Sequence, residues 1–144
     1  MNESNTESPS DIVSYLLKND PFSQWMGVKI LEADLGHCKI ECRIRGEMLN
    51  GFDVTHGGII FSLADTALAF SAATYGRVSL AIDNSISITK KSFSGSILTA
   101  ESNKVRLTHK TGVFDVRLRN VQNEPVAFMK GTVYRTGEEI VIER

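Results

Sequence analysis

The segment HGGIIFSLADTALAFSAATYG, residues 56–76, constrains the fold more than any other stretch. Its length and its wealth of Ala and Leu predict an α-helix of ~five turns, with Gly76 as its stop. Ile59, Ile60, Phe61, Leu63, Ala64, Ala67, Leu68, Ala69, Phe70, Ala72 and Ala73 spread over nearly the whole circumference. A helix that is apolar nearly all round is buried, not laid on a surface. Four extended stretches follow, at 78–90, 96–109, 112–121 and 125–136. Turn signals separate them: Ser94-Gly95, Lys110-Thr111-Gly112 and Gln122-Asn123-Glu124. Strands in hairpin order make an antiparallel sheet. The fold class is therefore α+β, with the sheet expected to wrap around the one long helix.

Upstream of that helix, Ser10 or Asp11 is expected to cap a short helix through Ile12, Tyr15, Leu16 and Leu17, which Asn19-Asp20-Pro21 stops. Residues 22–26 suggest a further turn. Extended structure begins near Val28 and turns at Leu35-Gly36. From His37 to Arg45, Cys38, Ile40, Cys42 and Ile44 alternate with Lys39, Glu41, Arg43 and Arg45, which predicts a strand with one wet face. Cys38 and Cys42 then lie ~13 Å apart on one face and cannot bridge. They read as two small core residues in a reducing compartment.

At 144 residues the chain suits one domain with one core. We expect a disordered tail at 1–9, a single domain at 10–137 and a charged tail at 138–144. The net charge of −1 gives no basic field for nucleic acid. The polar start has no signal-peptide pattern, and no apolar run is long enough to span a membrane. The expected location is cytoplasmic. His37, His56 and His109 are scattered and suggest no metal site.

Inside the greasy helix, Ser62, Asp65 and Thr66 form one polar stripe within ~100° of the helical wheel. Burying an unpaired carboxylate is expensive, so Asp65 either finds polar partners or serves a function. His56-Gly57-Gly58 opens the same helix. Unpaired N–H groups and a partial positive charge gather at a helix N-terminus, and glycine lets a ligand approach the backbone. Such a site can polarise a carbonyl. Gly57 and Asp65 are eight residues apart, or ~12 Å along the axis. One carbonyl cannot easily use both from one helix, so their cooperation implies two chains.

The stretch 49–76, LNGFDVTHGGIIFSLADTALAFSAATYG, resembles the PaaI-like (phenylacetic-acid-pathway) acyl-CoA thioesterases of the hotdog superfamily. The resemblance runs from about Asn19 to Thr136, and its most specific element is the N-G-x(4)-H-G-G-x(6)-D spacing from Asn50 to Asp65. It implies a hotdog fold that pairs into a homodimer or a dimer of dimers (a homotetramer), with acyl-CoA as substrate and no cofactor besides. It also implies roles. Asp65 is the catalytic carboxylate, as nucleophile or general base. Gly57 supplies the N–H that polarises the thioester carbonyl, and Asn50 positions the carbonyl or the water. His56, Gly58, Thr66, Lys90 and Lys91 are the expected substrate contacts, the lysines toward CoA phosphates and His56 chiefly as a structural residue at the helix start. Desolvation by apolar neighbours strengthens a carboxylate as a base.

This chain departs from its relatives at Phe52-Asp53-Val54-Thr55, at Ile88–Phe93 where a proline is missing, and at Ala69, which has no hydroxyl. Two other functions stand beside hydrolysis. A non-catalytic acyl-CoA binder is disfavoured by the joint presence of Asp65, Gly57 and Asn50. A hotdog hydratase or dehydratase is disfavoured because His56 precedes Asp65 without the dehydratase motif.

Overall fold

The structure, a computed structural model, describes residues 7–144. The chain runs α1 (Pro9–Lys18), α2 (Pro21–Met26), β1 (Lys29–Asp34), β2 (His37–Arg43), a 3-10 turn, α3 (Gly57–Ala73), β3 (Arg77–Ile88), β4 (Ile97–Leu107), β5 (Thr111–Arg119) and β6 (Pro125–Glu139). The six strands form one antiparallel sheet in the order β1-β2-β4-β5-β6-β3. The sheet packs around α3, which touches β2, β3, β4, β5 and β6. The sheet wraps the greasy helix as expected, in the hotdog fold that the resemblance implies.

The core sits between α3 and the inward faces of the strands. Leu63, Ala64, Ala67 and Leu68 are fully buried there against Ile40, Leu98, Phe114, Val116, Leu118 and Met129. Each large aliphatic or aromatic side chain so buried contributes roughly 1.5–3 kcal/mol, which is why an all-apolar helix tolerates only this central place. Cys38 and Cys42 are free and fully buried, as the alternation of β2 predicts. Burial first, and Glu32 second, push the Cys38 thiol up to about 12. It therefore stays protonated near neutrality and acts as a small hydrophobe.

The ends differ from expectation. Residues 1–6 of the expected 1–9 tail lie outside the described residues, but Ser8 and Pro9 are ordered parts of the fold. Ser8, not Ser10 or Asp11, caps α1, accepting from the Asp11 N–H at 3.1 Å. Pro9 then takes the first helical position, where its missing N–H costs nothing. At the other end, β6 continues through Thr136 to Glu139, because Glu139 pairs with Arg77 at the start of β3. The Ile140 N–H bonds to the Gly76 carbonyl, and Arg144 pairs with Glu7 at 2.7 Å. The expected charged tail at 138–144 is thus partly strand and partly tied down. Helix α3 ends at Ala73 with Thr74 as its C-cap, and Gly76, at φ 86°, turns the chain two residues after the cap.

Candidate active site

Two clusters lie at different levels of α3. The first is at its N-terminus. His56 is the N-cap, and its Nδ1 accepts the Gly58 N–H at 2.8 Å. Gly58, expected to serve a ligand, therefore has its backbone donor already committed. The Gly57 N–H has no acceptor among the described residues and stands at an exposed helix start. A Cβ at Gly57 would meet only Ile88 Cδ1, at an ordinary 3.6 Å. Nothing within the chain demands glycine there.

Asn50 sits in the loop beside this helix start. Its Oδ1 accepts from the Phe52 N–H at 2.8 Å and the Val54 N–H at 3.3 Å. The side-chain oxygen thereby shapes the loop, where Asp53 takes φ 60°, and the Nδ2 donor is left for something outside it. The loop is pinned at both ends. His56 N–H bonds to the Met48 carbonyl, Thr55 N–H to the Ser92 carbonyl, and Ser92 Oγ to Thr55 Oγ1 at 2.7 Å. This ties the helix start to the loop carrying Lys90 and Lys91.

The second cluster is mid-helix. Asp65 is half-buried, and its Oδ1 accepts from Asn84 Nδ2 at 2.9 Å. Ser62 Oγ turns back to the Gly58 carbonyl, and Thr66 is nearly closed off at 9% exposure. So the polar stripe exists, but only Asp65 offers a reactive group on it. Asn84 was not singled out from the sequence. Its signal was there: on β3 it interrupts the inward-facing positions that continue with Ile86, which packs on the core.

No hydrogen bond joins Asp65 to Asn50, His56 or Gly57, so one chain does not bring the expected catalytic groups together. Beside Asp65 runs β3, an edge strand paired only with β6 among the described residues. Leu80, Ile82 and Ile88 on it are 59%, 61% and 45% exposed. An open edge this apolar is a template for another strand.

Grooves adjoin both clusters. An apolar groove of about 380 Å3 is lined by Leu16, Pro21, Ala69, Ala73, Val78 and Leu80, among others. Ala69 and Ala73 lie one and two turns beyond Asp65 on the same face of α3. The polar groups at its rim are already used: Asn19 Nδ2 bonds to the Tyr15 carbonyl, and both Asp20 carboxylate oxygens accept from Ser23. A second groove of about 310 Å3, lined by Val54, Thr55, Ile60, Ile88 and Lys90–Ser92, runs from the helix start to the lysine loop. Lys90 is paired with Glu124 at 3.4 Å, while Lys91 makes no ion pair among the described residues. Glu124 is held below the usual carboxylate range, chiefly by its hydrogen bond from Asn120 and then by Lys90.

A sheet curled around one helix, with a carboxylate in that helix and an unpaired backbone N–H at its start, is the architecture of a hotdog protein. Residues 52–127 match the thioesterase superfamily. The chain belongs to that family, as a PaaI-like member, and is a thioester hydrolase. It is 40% identical over 128 residues to an Archaeoglobus fulgidus protein named "Putative esterase", spanning 89% of this chain and 83% of that one. It is 33% identical to the acyl-coenzyme A thioesterase PaaI of Escherichia coli K12, spanning 89% of this chain and 91% of the relative. The solved E. coli PaaI structure superposes with a TM-score of 0.90 at 31% identity, covering 92% of this chain and 96% of that one. A Streptococcus mutans protein solved with acetyl CoA superposes at 0.76, with 25% identity and 78% and 91% coverage. No helix among the described residues is long and apolar enough to cross a membrane.

Proposed function

We propose that this protein is an acyl-CoA thioesterase, hydrolysing the thioester to a free acid and coenzyme A, and that each active site is shared by two protomers. The observation that carries this reading is the separation of the two clusters. Asp65 stands beside an open, apolar edge strand, while the free Gly57 N–H lies ~12 Å away along the same helix. Two copies meeting along β3 supply one protomer's Asp65 to the other's Gly57 and Asn50. A homodimer is the smallest unit that completes the site, and a dimer of dimers keeps it.

In such a site the Gly57 N–H stabilises the oxyanion that forms as the thioester carbonyl is attacked. Asp65 drives the attack in one of two ways. As a general base it takes a proton from water, and the hydroxyl adds to the carbonyl carbon. As a nucleophile it adds itself, and water then cleaves the resulting anhydride. Both routes break the C–S bond, release the thiol and leave a carboxylic acid. The chemistry needs no resident metal or cofactor, since coenzyme A enters and leaves with the substrate. The Ala69–Ala73 groove takes the acyl group, and the groove toward Lys91 takes the coenzyme. Lys90, already balanced by Glu124, contributes less. The two free, buried thiols suit a reducing compartment such as the cytoplasm.

The test is free-thiol release from a panel of aromatic and aliphatic acyl-CoAs. Turnover is expected for arylacetyl and medium-length acyl groups, which a largely apolar groove of about 380 Å3 accommodates, its one carboxylate, Asp20, being engaged by Ser23. Tight acyl-CoA binding with no turnover on any member would convert the reading to that of a binding protein.

A further inference from the structure

Asn84 is placed in a costly way. It lies on β3 directly opposite Gly131 of β6. A Cβ at Gly131 would collide with both Asn84 Oδ1 and Leu68 Cδ1. Only glycine there lets the amide lie between sheet and helix. A bulge at Ile82, between the pairs Ala81↔Val133 and Asp83↔Thr132, resets the alternation of β3 just before it, and bulges characteristically re-aim a side chain. The amide then gives Nδ2 to Asp65 Oδ1 at 2.9 Å, while its own Oδ1 is buried without a partner. A buried orphan acceptor destabilises a fold. Leucine or methionine would carry no such cost, and the next inward position is indeed Ile86.

We infer that Asn84 is a positioning residue for Asp65, holding Oδ1 of the carboxylate so that Oδ2 alone is presented for reaction. This rests on the reading of Asp65 as the catalytic carboxylate. The direction of the amide follows from charge: turned over, Asn84 would aim its oxygen at a carboxylate. With Oδ1 engaged, the carboxylate loses a rotational choice, and the remaining oxygen is oriented before substrate arrives. The acceptor left unpaired is the consequence of using the amide as a donor in so tight a place.

The experiment compares wild type, Asn84→Asp, Asn84→Leu and Asp65→Asn in steady-state thiol release, with thermal melting of each. Asn84→Asp keeps the shape but replaces the amide donor with a second carboxyl, which repels Asp65 or shares its proton. Asn84→Leu removes the donor together with the orphan acceptor. Both are expected to lower kcat at least ~10-fold with KM within about twofold of wild type, assayed well below the melting temperature of each variant. Wild-type kcat in both Asn84 variants, beside a dead Asp65→Asn, would overturn this inference and spare the proposed mechanism. A fall in kcat that merely tracks a lowered melting temperature would overturn it too. An active Asp65→Asn would sink both.

Discussion

Replacing Gly57 by proline is expected to lower kcat/KM by ~10²–10³-fold, the effect typical of losing one oxyanion donor, while the protein still folds. Gly57 is the first residue of α3. Proline is favoured at that position, since its fixed φ suits the helix and the N–H it lacks has no intrahelical partner. His56, at φ −61° and ψ 135°, already has the extended conformation that proline requires of its predecessor. The substitution thus deletes one N–H and little else. Gly57→Ala is the matched control: it keeps the N–H and adds only a Cβ with ordinary contacts inside the chain. Thiol-release kinetics of the pair separate the donor from the space. Equal activity in the two variants would show that the N–H is not the clamp.

Asp65→Asn is expected to lower kcat by ~10²–10⁴-fold, the range for removing a general base. The change is nearly isosteric in a half-buried place, so melting temperature and acyl-CoA binding should change little. The asparagine can still accept from Asn84 Nδ2, which keeps the local packing. On the polar stripe of α3, Ser62 is bonded to its own helix and Thr66 is nearly closed off, which leaves Asp65 as its accessible polar group. Kinetics and acyl-CoA binding measured on the same preparation distinguish lost chemistry from lost binding. A variant turning over at the wild-type rate would remove Asp65 from the mechanism.

The parts legible in the sequence were those set by periodicity. Helix α3 was readable because an all-apolar helix has only one physical solution, and β2 because Cys38, Ile40, Cys42 and Ile44 alternate cleanly with charge. Asp65 stood out because a carboxylate among alanines and leucines is improbable without a reason. Other features depend on partners far along the chain. Asn84 acquires its meaning from Gly131 and Asp65, neither of which is near it in sequence. The cap of α1 went to Ser8 because three capping residues crowd into positions 8–11, and Pro9 at the first helical position decides among them. The end of β6 was hidden because Thr136–Glu139 carry no apolar alternation; pairing with β3, not patterning, extends it. Gly58 was expected to contact substrate, and only the fold shows its N–H already taken by His56 Nδ1.

The central claim is that one active site draws its groups from two chains, and a mixing experiment tests it most directly. Asp65→Asn and Asn50→Ala are prepared separately, each strongly impaired, then unfolded and refolded together in equal amounts. In a two-fold symmetric dimer, half of the mixed population carries both variants, and each such dimer holds one site with Asp65 from one protomer and Asn50 from the other. Activity is therefore expected to recover to roughly a quarter of wild type. Mixed dimers confirmed by mass spectrometry, with activity no higher than the two variants measured apart, would contradict a site built across two protomers.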